Sequence, residues 1–362
     1  MTYIKQKLSF FFAQSHTKFI IIGAYMGLFI LLLLVPKIPV SSVTKTDALT
    51  IIIFPESVSI ELIRAFTAET GIKVNVKNIE TDAEFNTYLQ HLDAPYDLAC
   101  IPEYMTEELE ADKLLLPLDL SQIPNYSLLY PLFMETKETI TSVPFAWTLF
   151  GIGTNSEEIS LPQKISWAIL FDPKYRVCIP DDLRHLLSFA ALALRRPIHS
   201  LSNLDITTMM HALHNQKSHV ELYSDTNIAL VFANNVVPLA FSSYKTIELI
   251  NRSRKNVKFI VPTEGGIRTS LNWVILKRSK NTNLAHAFID FVSSQKSAAI
   301  NQAKTEFLPT NNVLLSEYWD PETQKNSGCP FPSQDVIKKA KAPCKNISAQ
   351  KISTLWITLK SS

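Results

Sequence analysis

The sequence predicts an α/β fold, and local patterns near the start of the folded part carry this prediction. Residues 49–54, LTIIIF, are continuously apolar and mostly β-branched, which is typical of a strand covered on both faces. Residues 66–76, FTAETGIKVNV, combine the end of a helix with an alternating strand. Gly71 stands where a left-handed residue ends a helix at little steric cost, and Ser57 or Ser59 is the expected N-cap. Strand, helix and strand within about 30 residues form a βαβ unit, so we predict parallel strands.

The alternation of helix and strand patterns continues along the chain to about residue 310. We predict helices within residues 85–92, 105–115, 166–171, 183–196, 206–216, 245–254 and 284–300. We predict strands within residues 96–101, 175–180, 235–241, 257–262 and 271–277. Residues 142–155 form a long apolar run with Gly151 and Gly153, which we interpret as a crossing between two lobes. After about residue 312 the periodicity is weaker and lysines are frequent, which indicates a solvated surface.

The composition argues against several classes of function. The 362-residue chain has 35 Lys+Arg against 33 Asp+Glu, so no strong positive field for nucleic acid is expected. Its 8 glycines form neither a G-x-G-x-x-G nor a G-x-x-x-x-G-K-[ST] motif, which argues against a bound nucleotide. The sequence contains no G-x-S-x-G, no H-E-x-x-H and no C-x-x-C, so we predict no enzyme, no metal site and no cofactor.

An apolar run near the start of the chain predicts export across a membrane. Residues 19–35 carry no charge and are about as long as the shortest membrane spans. Lys5, Lys7 and Lys18 precede the run without any acid, and this positive-inside pattern places the bulk of the chain outside the cytoplasm. Two interpretations stay open, an uncleaved anchor, which we favour, and a cleaved signal peptide. Residues 36–48 are polar and rich in proline, as in a linker.

The four cysteines divide into two pairs. Cys100 and Cys178 end apolar strand-like runs, so we expect both to be buried as small hydrophobic side chains. Cys329 and Cys344 lie in the polar tail. In an exported protein they can form a disulfide, and this pairing and two free thiols both stay open.

Six segments within about residues 49–315 share their order and spacing with one protein family. They are FTAETGIKVNV (66–76), YDLACIP (96–102), SVPFAWTLFGIGTN (142–155), SWAILFDPKYRVCIPDD (166–182), VPTEGG (261–266) and LPTNN (308–312). The ordered set resembles the bacterial extracellular solute-binding proteins of ABC importers, and among them the polyamine branch, which binds spermidine or putrescine. Each segment alone is weak evidence for the family, whereas the shared order of all six is specific for it.

The resemblance implies a type II periplasmic binding protein fold, with two α/β lobes on either side of a ligand cleft. Such a protein works as a monomer in the periplasm, here with a membrane anchor at its N-terminus if the apolar run is retained. It closes on a small solute by a hinge motion and delivers it to an ABC permease and its ATPase, without chemistry on the solute. The implied boundaries are residues 1–18 for the cytoplasmic or signal start, 19–35 for the span, 36–48 for the linker, 49–148 with 270–310 for lobe 1, and 149–269 with 311–362 for lobe 2.

Candidate ligand-binding residues lie where predicted strands end. Ligands of open α/β sheets bind beyond the carboxyl ends of strands, here near residues 54–56, 102–104, 180–182 and 241–243. A polyamine needs carboxylates for its ammonium groups and aromatic faces for its methylenes. The resemblance gives these roles to Phe54, Glu56, Tyr104, Asp182 and Phe241. The competing interpretation makes the two carboxylates helix caps and the two phenylalanines core residues.

The pocket departs from the polyamine pattern at several positions. Leu271 stands where the family has an acid that grips an ammonium group, Thr269 replaces a tryptophan, His185 replaces a second acid and Leu308 replaces a tyrosine. Losing one partner of a buried charge pair costs about 2–5 kcal/mol. The same fold with another solute therefore stays open: an anion near residues 242–243, an amino acid or iron. A membrane-tethered sensor or scaffold with a decayed pocket is the other alternative.

Overall fold

The computed structural model describes residues 48–90, 96–155, 159, 161–224, 227–253, 256–327, 329–345 and 347–361. The apolar run at residues 19–35 lies outside this part of the chain. Within the described residues, no helix is both long enough and apolar enough to cross a membrane.

Ten strands are present in the described residues. They are β1 (Ala48–Ile53), β2 (Lys73–Asn78), β3 (Leu98–Pro102), β4 (Ser142–Asn155), β5 (Val177–Ile179), β6 (Val220–Tyr223), β7 (Leu239–Ser243), β8 (Val257–Ile260), β9 (Ile267–Ile275) and β10 (Leu308–Pro309).

The α-helices of the same residues cover most of the segments between the strands. They are α1 (Ile60–Thr70), α2 (Asp82–Gln90), α3 (Glu103–Ala111), α4 (Leu183–Ala193), α5 (Asn203–Gln216), α6 (Ile228–Ala233), α7 (Tyr244–Ser253), α8 (Thr282–Ser293), α9 (Gln295–Lys304), α10 (Asn312–Glu317), α11 (Pro321–Ser327), α12 (Gln334–Lys338) and α13 (Ala349–Ser361). Short 3₁₀ turns occupy Leu120–Gln122, Pro124–Leu128, Pro131–Phe133, Trp167–Phe171 and Lys217–His219.

The strands form one mixed sheet in the order β2-β1-β3-β9-β4-β7-β5-β6, and β8 and β10 also pair with β4. β1 runs parallel to β2 and β3, and β5 runs parallel to β6 and β7. The predicted parallel strands are therefore confirmed. β4 and β9 run antiparallel to each other and to their outer neighbours β7 and β3, which makes the whole sheet mixed.

β4 carries the chain from one parallel group to the other. Its residues from Ser142 to Phe150 pair with β9, and those from Phe150 to Asn155 pair with β7 or β8. We call β1, β2 and β3 with the helices on them the first half, and β5, β6 and β7 with theirs the second half. Ala48–Ser362 forms one compact unit, and the lobe boundaries at 148/149 and 269/270 stay a prediction.

The helix between β1 and β2 begins and ends where the sequence predicts. The Ser59 hydroxyl accepts a hydrogen bond from the backbone N–H of Leu62, 3.1 Å away, which caps the first turn of α1. Gly71 follows the helix with φ 74°, in the left-handed region that favours glycine. Phe66 faces inward and meets Phe288 with ring centroids 4.9 Å apart, so α1 packs against α8 over the first-half core.

The cysteines are all free and buried, so the disulfide left open for the tail is not formed. Cys329 packs in a cluster with Tyr244 and Phe331, whereas Cys344 packs in the second-half core. The tail is also more ordered than its weak periodicity indicates, because Phe331 lies 4.8 Å from the ring of Tyr244 and holds the segment against α7.

Candidate functional site

A cavity of about 370 Å³ lies at the strand ends of both halves, and we call it the central cavity. The first half contributes the segment that follows β1, and the second half contributes the ends of β5 and β7. Its lining residues are Phe54, Pro55, Glu56, Thr148, Phe150, Pro180, Asp182, His185, Ile228, Phe241, Ser242, Ser243, Thr246, Glu306 and Phe307. Four of the five predicted ligand-binding residues are among them.

Glu56 reaches this cavity from a tight turn after β1. The backbone N–H of Ser57 donates to the carbonyl of Phe54, 3.3 Å away, with Pro55 at the second position of the turn. Glu56 takes the third position with φ 61°, a left-handed conformation that glycine or asparagine normally supplies. Such strain costs about 1–3 kcal/mol and is concentrated at functional sites. The helix-cap alternative for Glu56 is wrong, because Ser59 caps α1.

Aromatic rings form one wall of the central cavity. Phe150 and Phe241 stack with centroids 5.3 Å apart and an interplanar angle of 26°. Trp167 backs Phe241 at 5.1 Å, and the His185 ring lies 4.6 Å from Phe150. Phe241 is therefore a core residue that also borders the cavity, and its role in ligand binding stays a prediction.

Asp182 is held by the protein's own donors. Its Oδ1 accepts from the backbone N–H of Arg184 at 2.7 Å and of His185 at 3.4 Å, which makes it the N-cap of α4. Its Oδ2 lies 2.9 Å from Nδ1 of His185. Burial raises the pKa of Asp182, but the charge and hydrogen bonds of His185, together with the Arg184 N–H, outweigh burial and lower the pKa to about 2. The cap interpretation of Asp182 is confirmed, although the side chain also lines the cavity.

Glu306 is a second carboxylate of the central cavity and was not predicted from the sequence. Its Oε2 accepts a hydrogen bond from the Thr246 hydroxyl at 2.6 Å. The Ser243 hydroxyl accepts from the backbone N–H of Thr246 at 3.0 Å at the start of α7. Glu306 comes two residues before the LPTNN segment, and only this position beside a recognised segment hinted at a role.

Leu271, the position of the missing acid, does not face the cavity. It pairs with Pro102 and Ala146 in the sheet, is 4% exposed and belongs to the first-half core. Thr269 lies closer to the site, since its Oγ1 is 3.3 Å from Nε2 of His185. The fold therefore has no acid at residue 271, and Glu306 supplies a carboxylate to the cavity from a different segment of the chain.

Tyr104, the fifth predicted residue, lines a neighbouring cavity of about 440 Å³, which we call the lateral cavity. Asp182 borders both cavities. The Tyr104 hydroxyl donates to the two carboxylate oxygens of Asp82 at 3.1 and 3.2 Å. Burial, followed by the charges of Asp82 and Asp182, raises the pKa of Tyr104 well above its ordinary value, so the phenol keeps its proton.

Arg184 joins the two halves across the lateral cavity. The guanidinium lies over the Tyr104 ring, 4.0 Å from the centroid, and 3.5 Å from Oδ2 of Asp82. It also donates to the carbonyls of Cys344 at 3.0 Å and Ile347 at 3.3 Å. Burial raises the pKa of Asp82, and the charge of Arg184 opposes that rise.

The C-terminal helix α13 closes the other side of the lateral cavity. Lys360 Nζ lies 3.0 Å from Oδ1 of Asp181 and 3.8 Å from the ring centroid of Tyr223. Trp356 of the same helix lines the cavity and lies 4.4 Å below the same ammonium group. A basic residue of the chain therefore already occupies the aromatic and acidic surroundings of Asp181.

A larger cavity, of about 520 Å³, also includes Glu306 but has a different character. Lys245, Arg252 and Lys304 contribute to its wall, and Lys245 is already paired with Glu248 at 2.9 Å. It mixes both signs of charge and has no aromatic lining, so it does not suit a cationic chain.

Comparison with known proteins matches the architecture to one family. Residues 93–340 match the family model of the bacterial extracellular solute-binding proteins. The spermidine/putrescine-binding periplasmic protein of Escherichia coli is 24% identical over 283 residues, covering 76% of this chain and 81% of the relative. The putrescine/cadaverine-binding protein of Pseudomonas aeruginosa is 27% identical over 294 residues, covering 73% and 80%.

Solved structures show the same fold. The TpPotD lipoprotein of Treponema pallidum superposes with a TM-score of 0.73 at 18% identity, covering 86% of this chain and 99% of its own. The solute-binding fold expected from the six segments is thus confirmed. On the family match and the shared fold together, the chain belongs to the bacterial extracellular solute-binding proteins.

Proposed function

We propose that the protein is the solute-binding component of an ABC importer that captures a linear polyamine in the periplasm. It hands the solute to a permease with its ATPase and acts as a monomer, with residues 19–35 as its tether to the inner membrane. No chemical step on the solute is part of this function.

The central cavity carries the proposal through two carboxylates and four phenylalanines. Within the described residues, no lysine, arginine or histidine nitrogen lies within ion-pair distance of Glu56 or Glu306. The partly exposed rings of Phe54, Phe150 and Phe307 offer faces for methylenes and for cations. Phe241 is fully buried and supports Phe150 from behind by stacking. A cavity with aromatic side chains and two acids that lack a cationic partner suits a chain with an ammonium group at each end.

The position of the cavity supports capture by closure. Glu56 and Phe54 follow β1 of the first half, whereas Ser242 and Ser243 end β7 of the second half. A solute that touches both halves makes all its contacts only when they are together. It therefore shifts the population towards the closed form that a permease recognises.

The relatives named for spermidine, putrescine or cadaverine support a polyamine ligand. The anion alternative has less support. Ser242 and Ser243 do line the cavity near the start of α7, but the Glu306 carboxylate is hydrogen-bonded to Thr246 of the same first turn. Its negative charge opposes an anion there.

Thermal unfolding of the purified protein tests the proposal. Putrescine, cadaverine and spermidine should raise the melting temperature, since a ligand at 100 times its Kd stabilises the fold by about 2.7 kcal/mol. The diol 1,4-butanediol has the length of putrescine without its charges and should have no effect. Phosphate and glutamate serve as anionic and amino-acid comparisons, and a shift with either of them alone would overturn the polyamine assignment.

Two substitutions locate the binding site. Glu56→Gln and Glu306→Gln should each weaken polyamine binding by about tenfold or more, because each removes one charge-assisted partner of an ammonium group. Glu317→Gln is the matched control, since Glu317 is an exposed carboxylate of α10 outside the central cavity. Equal affinities for all three variants would place the site elsewhere.

A further inference from the structure

The strongest unassigned feature of the central cavity is the contact between His185 and Asp182. The cavity has three carboxylates in its wall, those of Glu56, Asp182 and Glu306. His185 lies 2.9 Å from Oδ2 of Asp182, and two backbone N–H groups occupy Oδ1. Both oxygens of Asp182 are thereby engaged by the protein.

We infer that His185 withdraws Asp182 from the ligand, so that the cavity presents two carboxylates and selects a linear diamine over a triamine. This inference rests on the proposed function and specifies how many ammonium groups the solute carries. His185 is a specificity-determining residue in this view, because it fixes how many acids remain available for ammonium groups.

The imidazole is held in this position from three sides. Its Nε2 lies 3.3 Å from the Thr269 hydroxyl, its ring packs 4.6 Å from Phe150, and its Nδ1 faces Asp182. A side chain fixed in this way cannot swing aside to release the carboxylate without losing its packing and its hydrogen bonds.

The acids of the lateral cavity do not supply the missing third partner. Arg184 lies 3.5 Å from Asp82, and Lys360 lies 3.0 Å from Asp181. Glu80, the remaining acid of that cavity, is exposed to solvent, where an ion pair contributes little. A third ammonium group reaching past Asp182 would therefore meet two carboxylates that already have cationic partners and one that is solvated. Cavity volume does not decide the preference, since about 370 Å³ leaves room for either chain. The number of carboxylates whose oxygens are not already engaged decides it, because an ammonium group that loses water without gaining a partner binds poorly.

Titration calorimetry of the wild-type protein gives the first test. We expect putrescine or cadaverine to bind at least about tenfold more tightly than spermidine, which is about 1.4 kcal/mol at 25 °C. If spermidine binds as tightly as the diamines or more tightly, the inference is wrong while the proposed function stands. If no polyamine binds at all, the proposed function itself fails.

A matched pair of substitutions gives the second test. His185→Asn keeps a donor near the position of Nδ1 and should retain the preference for diamines. His185→Gln places its amide near the position of Nε2, leaves Oδ2 of Asp182 free and should tighten spermidine binding by about tenfold. Circular dichroism of both variants checks that the fold is kept. An unchanged ratio of the two affinities in His185→Gln would overturn the role of His185, and the wild-type ratio remains decisive if a variant does not fold.

Discussion

The guanidinium of Arg184 lies over the ring of Tyr104, so a side chain in the first turn of α4 of the second half rests on one in the first turn of α3 of the first half. Arg184 is 2% exposed and has Asp82 as its carboxylate partner. A buried charge in this position stabilises the contact between the halves only as long as its acid and its carbonyl acceptors are present.

Replacing this arginine should destabilise the protein strongly. We expect Arg184→Ala to lower the free energy of unfolding by about 3 kcal/mol or more, because Asp82 loses its cationic partner and two carbonyls lose their donor. Urea denaturation measures the change. Arg176→Ala is the control, since Arg176 pairs with Glu221 while 54% exposed, and its loss should cost less than about 1 kcal/mol. Similar losses for the two variants would show that the Arg184 contact adds nothing beyond a surface pair.

The strained turn at Glu56 predicts opposite effects on stability and binding. Glu56→Asn should raise the free energy of unfolding by about 0.5–1 kcal/mol, because asparagine tolerates the left-handed conformation better than glutamate does. The same substitution should weaken polyamine binding, since the carboxylate is lost. Glu56→Gln loses the charge and keeps the strain, so it should weaken binding without added stability. A stability gain equal in both variants would contradict the strain argument.

The hydrogen bonds and charge around Asp182 predict a pH-dependent contribution to stability. Its folded pKa of about 2 is below the ordinary 3.8, so the carboxylate stabilises the fold above about pH 4 and loses this effect as pH falls towards 2. Because 39% of the side chain is exposed, solvent screening limits the effect to about 1 kcal/mol. Chemical denaturation of wild type and Asp182→Asn between pH 5 and 2 should show a gap that closes with acid. A gap that stays constant would exclude this origin.

Restoring the acid of the polyamine branch at residue 271 should not restore its binding mode. Leu271 is buried in the first-half core, so Leu271→Asp would place a carboxylate among apolar side chains. We expect a loss of about 4 kcal/mol or more in unfolding free energy, with no gain in polyamine affinity. Leu271→Asn separates the effect of charge from that of size. Tighter polyamine binding by the aspartate variant would mean that the side chain reaches the cavity.

The sequence predicted the elements best where local signals and packing agree. The capped helix α1 and the parallel group around β1 follow from periodicity, a glycine stop and β-branched runs. The pattern of residues 142–155 indicates only an apolar crossing, and the structure shows that this segment is the long strand β4. The antiparallel course of β9 did not follow, because it depends on strands more than 100 residues apart in the chain.

Residues that line the central cavity could be predicted only near the ends of predicted strands. Phe54, Glu56 and Phe241 could be placed through strand ends and the family resemblance. Glu306 lies in the connection between α9 and β10, where no pattern precedes it, and it reaches the cavity through tertiary packing. Asp182 and His185 are three residues apart at the start of α4, and this spacing can be read from the sequence. The sequence does not show that the carboxylate takes His185 as its partner.

The tie between Arg184 and the carbonyls of Cys344 and Ile347 has a practical consequence for handling the protein. Lys345 adds a contact of 2.5 Å to Glu107 of the first half, so residues 344, 345 and 347 connect the two halves beside the lateral cavity and act as a brace. Shortening the polypeptide before residue 344 would remove this brace together with α13. A purification tag or a fluorophore is therefore better placed away from these residues.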